Sequence, residues 1–139
     1  MMVRLFLDTN VVLDTIVPGR PGCEASRRLM SLGHADGYEL CVSYLTVADM
    51  AYVIRKGGVE MCREKAGRIA DICHVLPMND MQLHYAERVD SPDYEDSLQI
   101  SCADLEGCDC IITHNAAHFK DCTVIPVYSP EEFLAKISD

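Results

Sequence analysis

A chain of 139 residues, 49% of them apolar, can bury one hydrophobic core without staples, so a single domain over 1–139 is expected. Twelve basic against 22 acidic residues leave a formal net charge of −10, which argues against a nucleic-acid binder working through a broad basic face. No apolar run approaches the roughly 20 residues needed to cross a bilayer, and the eight cysteines follow no signal peptide, so reduced thiols in a cytoplasmic protein with no membrane partner are expected.

In chain order, Val3, Leu5, Phe6 and Leu7 read as a buried strand over 3–8 that stops on the charge of Asp8. A helical pattern over 10–16 follows, then a loop by composition at Pro18-Gly19-Arg20-Pro21-Gly22. Next come a helix at 23–35, a strand at 39–43, a helix at 45–56 ended by Gly57-Gly58, a helix at 59–72 and a strand at 74–77. A helix at 79–89, a helix at 94–106 after Ser91-Pro92, strands at 109–113 and 123–127, and a helix at 130–137 complete the chain. Such alternation means a parallel sheet with helices on both sides. Within 45–56, Val47, Met50, Ala51 and Ile54 form the buried stripe and Asp49 points away from it.

Charge is unevenly spread. Residues 1–70 hold nine Lys/Arg and eight Asp/Glu, and residues 71–139 hold three and fourteen. Arg27, Arg28, Arg55, Lys56, Arg63, Lys65 and Arg68 either form a positive rim beside an acidic centre or are ordinary solvated helix faces.

Acids recur at element ends. Thr46 with Asp49 resembles a capping box, and Asp93 with Asp96 an N-cap followed by a first-turn acid, both of which are structural uses. Asp8 resists that explanation, because a charge directly after a buried strand needs a partner or a cation. An open α/β sheet also places its ligand site at strand carboxyl ends. A parallel sheet would bring Asp8, Asp49 and Asp96 to one edge, where like charges repel unless a cation joins them. Oxygen ligands suit Mg2+ or Mn2+ rather than zinc.

Phe6-Leu7-Asp8-Thr9-Asn10-Val11, Asp93-Tyr94-Glu95-Asp96-Ser97-Leu98-Gln99, Asp109 to Asn115 and Val127 to Leu134, in that order, resemble the PIN domain family. The resemblance implies a three-layer α/β/α sandwich with a short parallel β-sheet. It also implies a metal-dependent endoribonuclease hydrolysing RNA phosphodiester bonds, and the toxin half of a toxin–antitoxin pair. Carried over by position, Asp8, Asp49 and Asp96 are the catalytic, metal-binding acids and Asp93 an outer-shell or additional ligand. Asn10 would orient Asp8, and Thr113 and Asn115 would fill the polar fourth corner. Many members have glutamate where Asp49 stands, and arginine and aspartate where His114 and His118 stand. A fourth carboxylate is therefore missing on the Asn115 side, and one well-held metal is expected.

His114, if beside the acids, would serve as a pH-dependent cation in place of that arginine. Cys108, Cys110, His114 and His118 fall close together, but Cys-x-Cys followed by His-x3-His fits no common zinc module. Cys41, Cys73, Cys102 and Cys110 read as small buried residues. The Asp8-Thr9-Asn10 turn also resembles that of aspartate-nucleophile phosphatases, which carry a second aspartate where Asn10 stands. Expected partners are RNA and an antitoxin with a basic or amphipathic arm; Tyr44, Tyr52 and Met50 belong either to a face for a second copy of the chain or, as is more usual at helical spacing, to the core. The competing reading is a weak or inactive PIN-like scaffold acting as a protein- or RNA-binding module.

Overall fold

The computed structural model describes residues 2–138. At its centre is a five-stranded, all-parallel sheet in the order β3-β2-β1-β4-β5. The strands are β1 Val3–Leu7, β2 Tyr38–Ser43, β3 His74–Leu76, β4 Cys110–Ile112 and β5 Val127–Tyr128. Parallel neighbours cannot be joined by tight turns, so helices carry the crossovers. They are α1 Thr9–Asp14, α2 Cys23–Met30, α3 Tyr44–Val53, α4 Val59–Ile72, α5 Asp80–Ala86, α6 Tyr94–Leu105, α7 Ala116–Phe119 and α8 Pro130–Ile137. None among the described residues is long and apolar enough to cross a membrane.

Strand alternation sorts the core into two halves. Leu5, Leu7, Leu40, Val42, Cys110 and Ile112 pack with Val12, Leu29, Met50, Ile69 and Phe133 on one side of the sheet. Phe6, Cys41 and Ile111 pack with Ile100, Ala103 and Phe119 on the other. The result is the expected α/β/α sandwich. Cys41, Cys73, Cys102 and Cys110 are all buried, and Cys108 and Cys110 serve opposite halves. Phe6 is fully buried at the centre of its half, so Phe6→Ala should cost about 3–5 kcal/mol in urea unfolding. A loss near zero would mean that this layer is not packed as described.

Several elements differ from the sequence reading, each for a local reason. The expected helix at 23–35 ends at Met30 and continues as a 3-10 turn over Ser31–His34. There Gly33 passes so close to its neighbours that a Cβ would stand 2.7 Å from Ile72 Cγ2. The expected strand at 123–127 starts only at Val127, opposite Ile111, while Val124 is 87% exposed. Helix α7 had no counterpart in the sequence reading; it is a single turn that buries Phe119. Thr46 and Asp49 form no capping box, because α3 starts earlier. Ser43 is its N-cap and its hydroxyl accepts from the Thr46 N–H at 3.2 Å.

The chain winds from β1 through β2 to β3, then crosses to β4 on the other side of β1. Winding reverses between β1 and β4, and in open parallel sheets the crevice at the carboxyl ends of such a strand pair is where ligands bind.

Candidate active site

Asp8 lies at that crevice. Its N–H donates to the Ile112 carbonyl at 2.9 Å, extending the β1–β4 ladder, and its side chain caps α1 by accepting from the Thr9 N–H at 2.9 Å. Across the switch point, the Thr113 hydroxyl donates to Asp8 Oδ2 at 2.8 Å. The Gln99 amide donates to Asp8 Oδ1 at 3.2 Å. Asp8 is 5% exposed, and burial raises its carboxyl above the ordinary range despite the bonds from Thr113, Thr9 and Gln99.

Further acids come from the start of α6 and from α3. Asp93 is the N-cap of α6, its Oδ1 accepting from the N–H groups of Glu95 at 2.9 Å and Asp96 at 3.3 Å. Asp96, half-buried, is pushed up to about 6 by burial and then by the charges of Asp8 and Asp93, with His118 pulling the other way. Glu95 is pushed up to about 7, chiefly by a hydrogen bond with Asp49, then by burial and by the charges of Asp49, Asp93 and Asp8. Asp8, Asp93 and Asp96 therefore act on one another electrostatically, and Asp49 joins them through Glu95. Among the described residues, no three His, Cys, Asp or Glu side chains already stand close enough to enclose a metal ion. The acids act on one another as like charges and form no closed cage.

The polar corner is arranged differently from the sequence expectation. Asn10 does not orient Asp8: its Oδ1 accepts from the His114 N–H at 3.4 Å. Asn115 precedes α7 without capping it through its side chain, and its N–H donates to Thr113 Oγ1 at 3.1 Å. The His114 ring turns to Asp14 and not to the acids of α3 and α6. His118, on α7, is the histidine whose charge reaches Asp96.

Gln99 and Glu95 are the residues that sequence reasoning left without a role, although both stand in the quoted acidic run. Gln99 is fully buried, accepts from the Ser43 hydroxyl, and donates to Thr9 Oγ1 at 3.2 Å and Thr46 Oγ1 at 2.9 Å as well as to Asp8. One amide thus ties β1, β2, α3 and α6 together beneath the crevice. Gln99→Leu, similar in size, leaves Ser43, Thr9 and Thr46 short of partners. A loss of about 3 kcal/mol in chemical denaturation is expected, and an unchanged midpoint would show that the amide is dispensable.

Three of the basic residues considered for a rim are engaged locally. Arg63 pairs with Glu60, Arg68 with Glu64, and Arg55 lies over the Tyr52 ring at 3.9 Å. They behave as solvated helix faces. Met50 is a core residue, while Tyr44 and Tyr52 are exposed.

A family model described as "PIN domain" matches residues 4–117. Among curated proteins, Ribonuclease VapC1 of Aquifex aeolicus (strain VF5) is 23% identical over 138 residues, covering 96% of this chain and 94% of that one. Two solved structures share the fold with a TM-score of 0.69 and 16% identity each. One is VapBC2 from Rickettsia felis bound to a DNA fragment from its promoter, covering 90% of this chain and 97% of that one. The other is VapBC-1 from nontypeable Haemophilus influenzae, covering 93% and 99%. The matched range runs from β1 through β4 and includes Asp8, the start of α6 and Thr113. On that match, the chain belongs to the PIN domain family.

Proposed function

We propose that this chain is a metal-dependent endoribonuclease whose site is the β1–β4 crevice, and that it is the toxin partner of an antitoxin protein. The observation that carries the reading is Asp8, buried at the end of β1 with both oxygens fixed by Thr113, Thr9 and Gln99, and repelled by the acids that open α6. Such a set is unfavourable by itself and becomes favourable around a cation. The donors are all carboxylate oxygens, with no thiol or imidazole among them, which fits Mg2+ or Mn2+. Asp8, Asp49 and Asp96 would hold the ion. Asp93, one oxygen of which is spent on the α6 cap, would act from outside the first shell. A bound divalent ion of this kind supplies charge for a phosphodiester and lowers the pKa of water.

The chain's own residues supply the rest. Thr113, Thr9 and Gln99 fix both oxygens of Asp8, so that this carboxylate is oriented before any ligand arrives. Glu95, whose carboxyl is pushed up to about 7 beside Asp49, can release its proton as a cation enters. An RNA backbone would approach from the exposed side, where Asp93 and His118 lie at the surface. Ribonuclease VapC1 and the VapBC assemblies support the activity and the partner class. The acidic crevice suits an antitoxin arm with basic residues.

The test is cleavage of an RNA pool by the purified chain. Activity abolished by chelator and restored by Mn2+ supports the reading. The scaffold reading draws on the open arrangement of the acids and on Asn115 and His118 at the fourth corner. Calorimetry showing no binding at millimolar Mn2+ would decide for it.

A further inference from the structure

A second buried polar network adjoins the crevice, and the carboxylate chemistry does not use it. Asp14, the last residue of α1, is 1% exposed. Its Oδ1 accepts from Arg20 Nε at 3.0 Å, and its Oδ2 accepts from Ser26 Oγ at 2.6 Å and from His114 Nε2. A buried carboxylate persists only when its oxygens are matched by donors. Here the donors come from the 18–22 loop, from α2 and from the turn after β4. The Ser26 hydroxyl also lies 3.4 Å from His114 Nε2. Gly22, at φ +79, closes over the ring so tightly that a Cβ would stand 3.0 Å from His114 Cε1 and 3.8 Å from Glu131 Oε1.

His114 is therefore gripped through its ring by three segments and through its N–H by Asn10. The residue before it is Thr113, whose hydroxyl holds Asp8 and accepts from the Asn115 N–H. A threonine hydroxyl keeps one direction only while its backbone and χ1 are fixed. The Thr113 backbone is fixed on one side by the ladder, its N–H donating to the Tyr128 carbonyl at 2.9 Å. On the other side the anchor is His114.

We propose that His114 is a positioning residue of this site: its imidazole, seated on Asp14 and Ser26 beneath Gly22, fixes the Thr113–Asn115 turn and so keeps the Thr113 hydroxyl on Asp8. The catalytic consequence rests on the ribonuclease reading above; the structural one does not. His114 acts through Thr113 and is not itself among the acids. Its place in the fold is that of a strut between α1 and the turn after β4.

The test uses the full chain with His114→Ala, His114→Arg and Asp14→Asn, each checked for folding by circular dichroism. Three readouts are taken: the Thr113 methyl resonance without metal, Mn2+ affinity by calorimetry, and kcat and KM on RNA. In His114→Ala the Thr113 methyl signal should shift or broaden, Mn2+ affinity should fall several-fold, and kcat should fall about tenfold with KM unchanged, as small misplacements of reacting groups do. His114→Arg, which again offers N–H donors to Asp14, should recover most of each loss, and Asp14→Asn should resemble His114→Ala. A folded His114→Ala with an unmoved Thr113 resonance overturns the proposal. A rise in KM alone also overturns it, since His114 would then touch RNA directly. If the unaltered chain binds no Mn2+ and cuts no RNA, the ribonuclease reading falls, and the Thr113 resonance alone decides the strut. Should His114→Ala fail to fold, His114→Arg and Asp14→Asn carry the same comparison.

Discussion

Asp8→Asn should lower RNA cleavage by about a hundredfold or more while leaving the protein folded and its melting temperature higher. Both effects have one cause. The Asp8 carboxylate is buried at the end of β1, where burial already disfavours its charge, and it adds its field to those of Asp93, Asp96 and Glu95. Replacing it with an amide of the same shape removes the least solvated charge of the set. The amide oxygen can still accept from the Thr9 N–H, and the Thr113 hydroxyl can rotate to accept from the amide nitrogen. Stability gained where function is lost is the usual mark of a site built from mutually repelling groups. Measurement is direct: initial cleavage rates with Mn2+, and thermal unfolding with chelator, for both proteins. Full activity in a folded Asp8→Asn would remove the crevice from consideration. Lost activity with a lowered melting temperature would mean that Asp8 is chiefly a structural cap of α1.

What the sequence made legible was whatever depends on local periodicity. The stop at Asp8 after a run of apolar residues and the stripe Val47, Met50, Ala51, Ile54 both follow from which face must be buried. Less legible was anything set by a contact distant in sequence. Gln99 is separated from Asp8 by 91 residues and from Ser43 by 56, and no pattern within α6 reveals that its amide crosses under the sheet edge to both. His114 could be read from the sequence either as a surface or site-edge residue or as a neighbour of the acids. Its ring turns instead to Asp14, one hundred residues earlier, because a buried carboxylate there lacks enough donors without it. Asn10, two residues after Asp8, is likewise drawn off by the His114 backbone. In each case the residue type announced a polar partner, and only the fold decided which.

Without metal, the protein should grow less stable as pH rises through the range from about 5 to about 8, and Mn2+ should restore more stability at the upper end than at the lower. Asp96 and Glu95 hold their protons up to about 6 and about 7 in the folded chain, whereas in the unfolded chain they release them in the ordinary carboxylate range. Between those limits the folded state binds more protons than the unfolded one, so raising the pH favours unfolding. The raised carboxyl of Asp8 acts in the same direction. Asp14 and Glu132 are shifted downward: burial works against the Asp14 charge but bonds from Ser26, His114 and Arg20 outweigh it, and the backbone and hydroxyl of Ser129 hold Glu132 down. Their stability is present above the ordinary carboxylate range and is lost only in acid, outside this window. A divalent ion takes the place of the retained protons, so its binding should release protons and tighten with pH. Thermal unfolding across the window, with chelator and with Mn2+, measures the first effect, and calorimetry in two buffers of different ionisation enthalpy measures the second. Glu95→Gln isolates the share of that carboxyl: it should flatten the metal-free slope. A metal-free melting temperature that rises with pH, or a slope untouched by Glu95→Gln, would mean that the acids of α3 and α6 do not share the crowded crevice on which the nuclease reading depends.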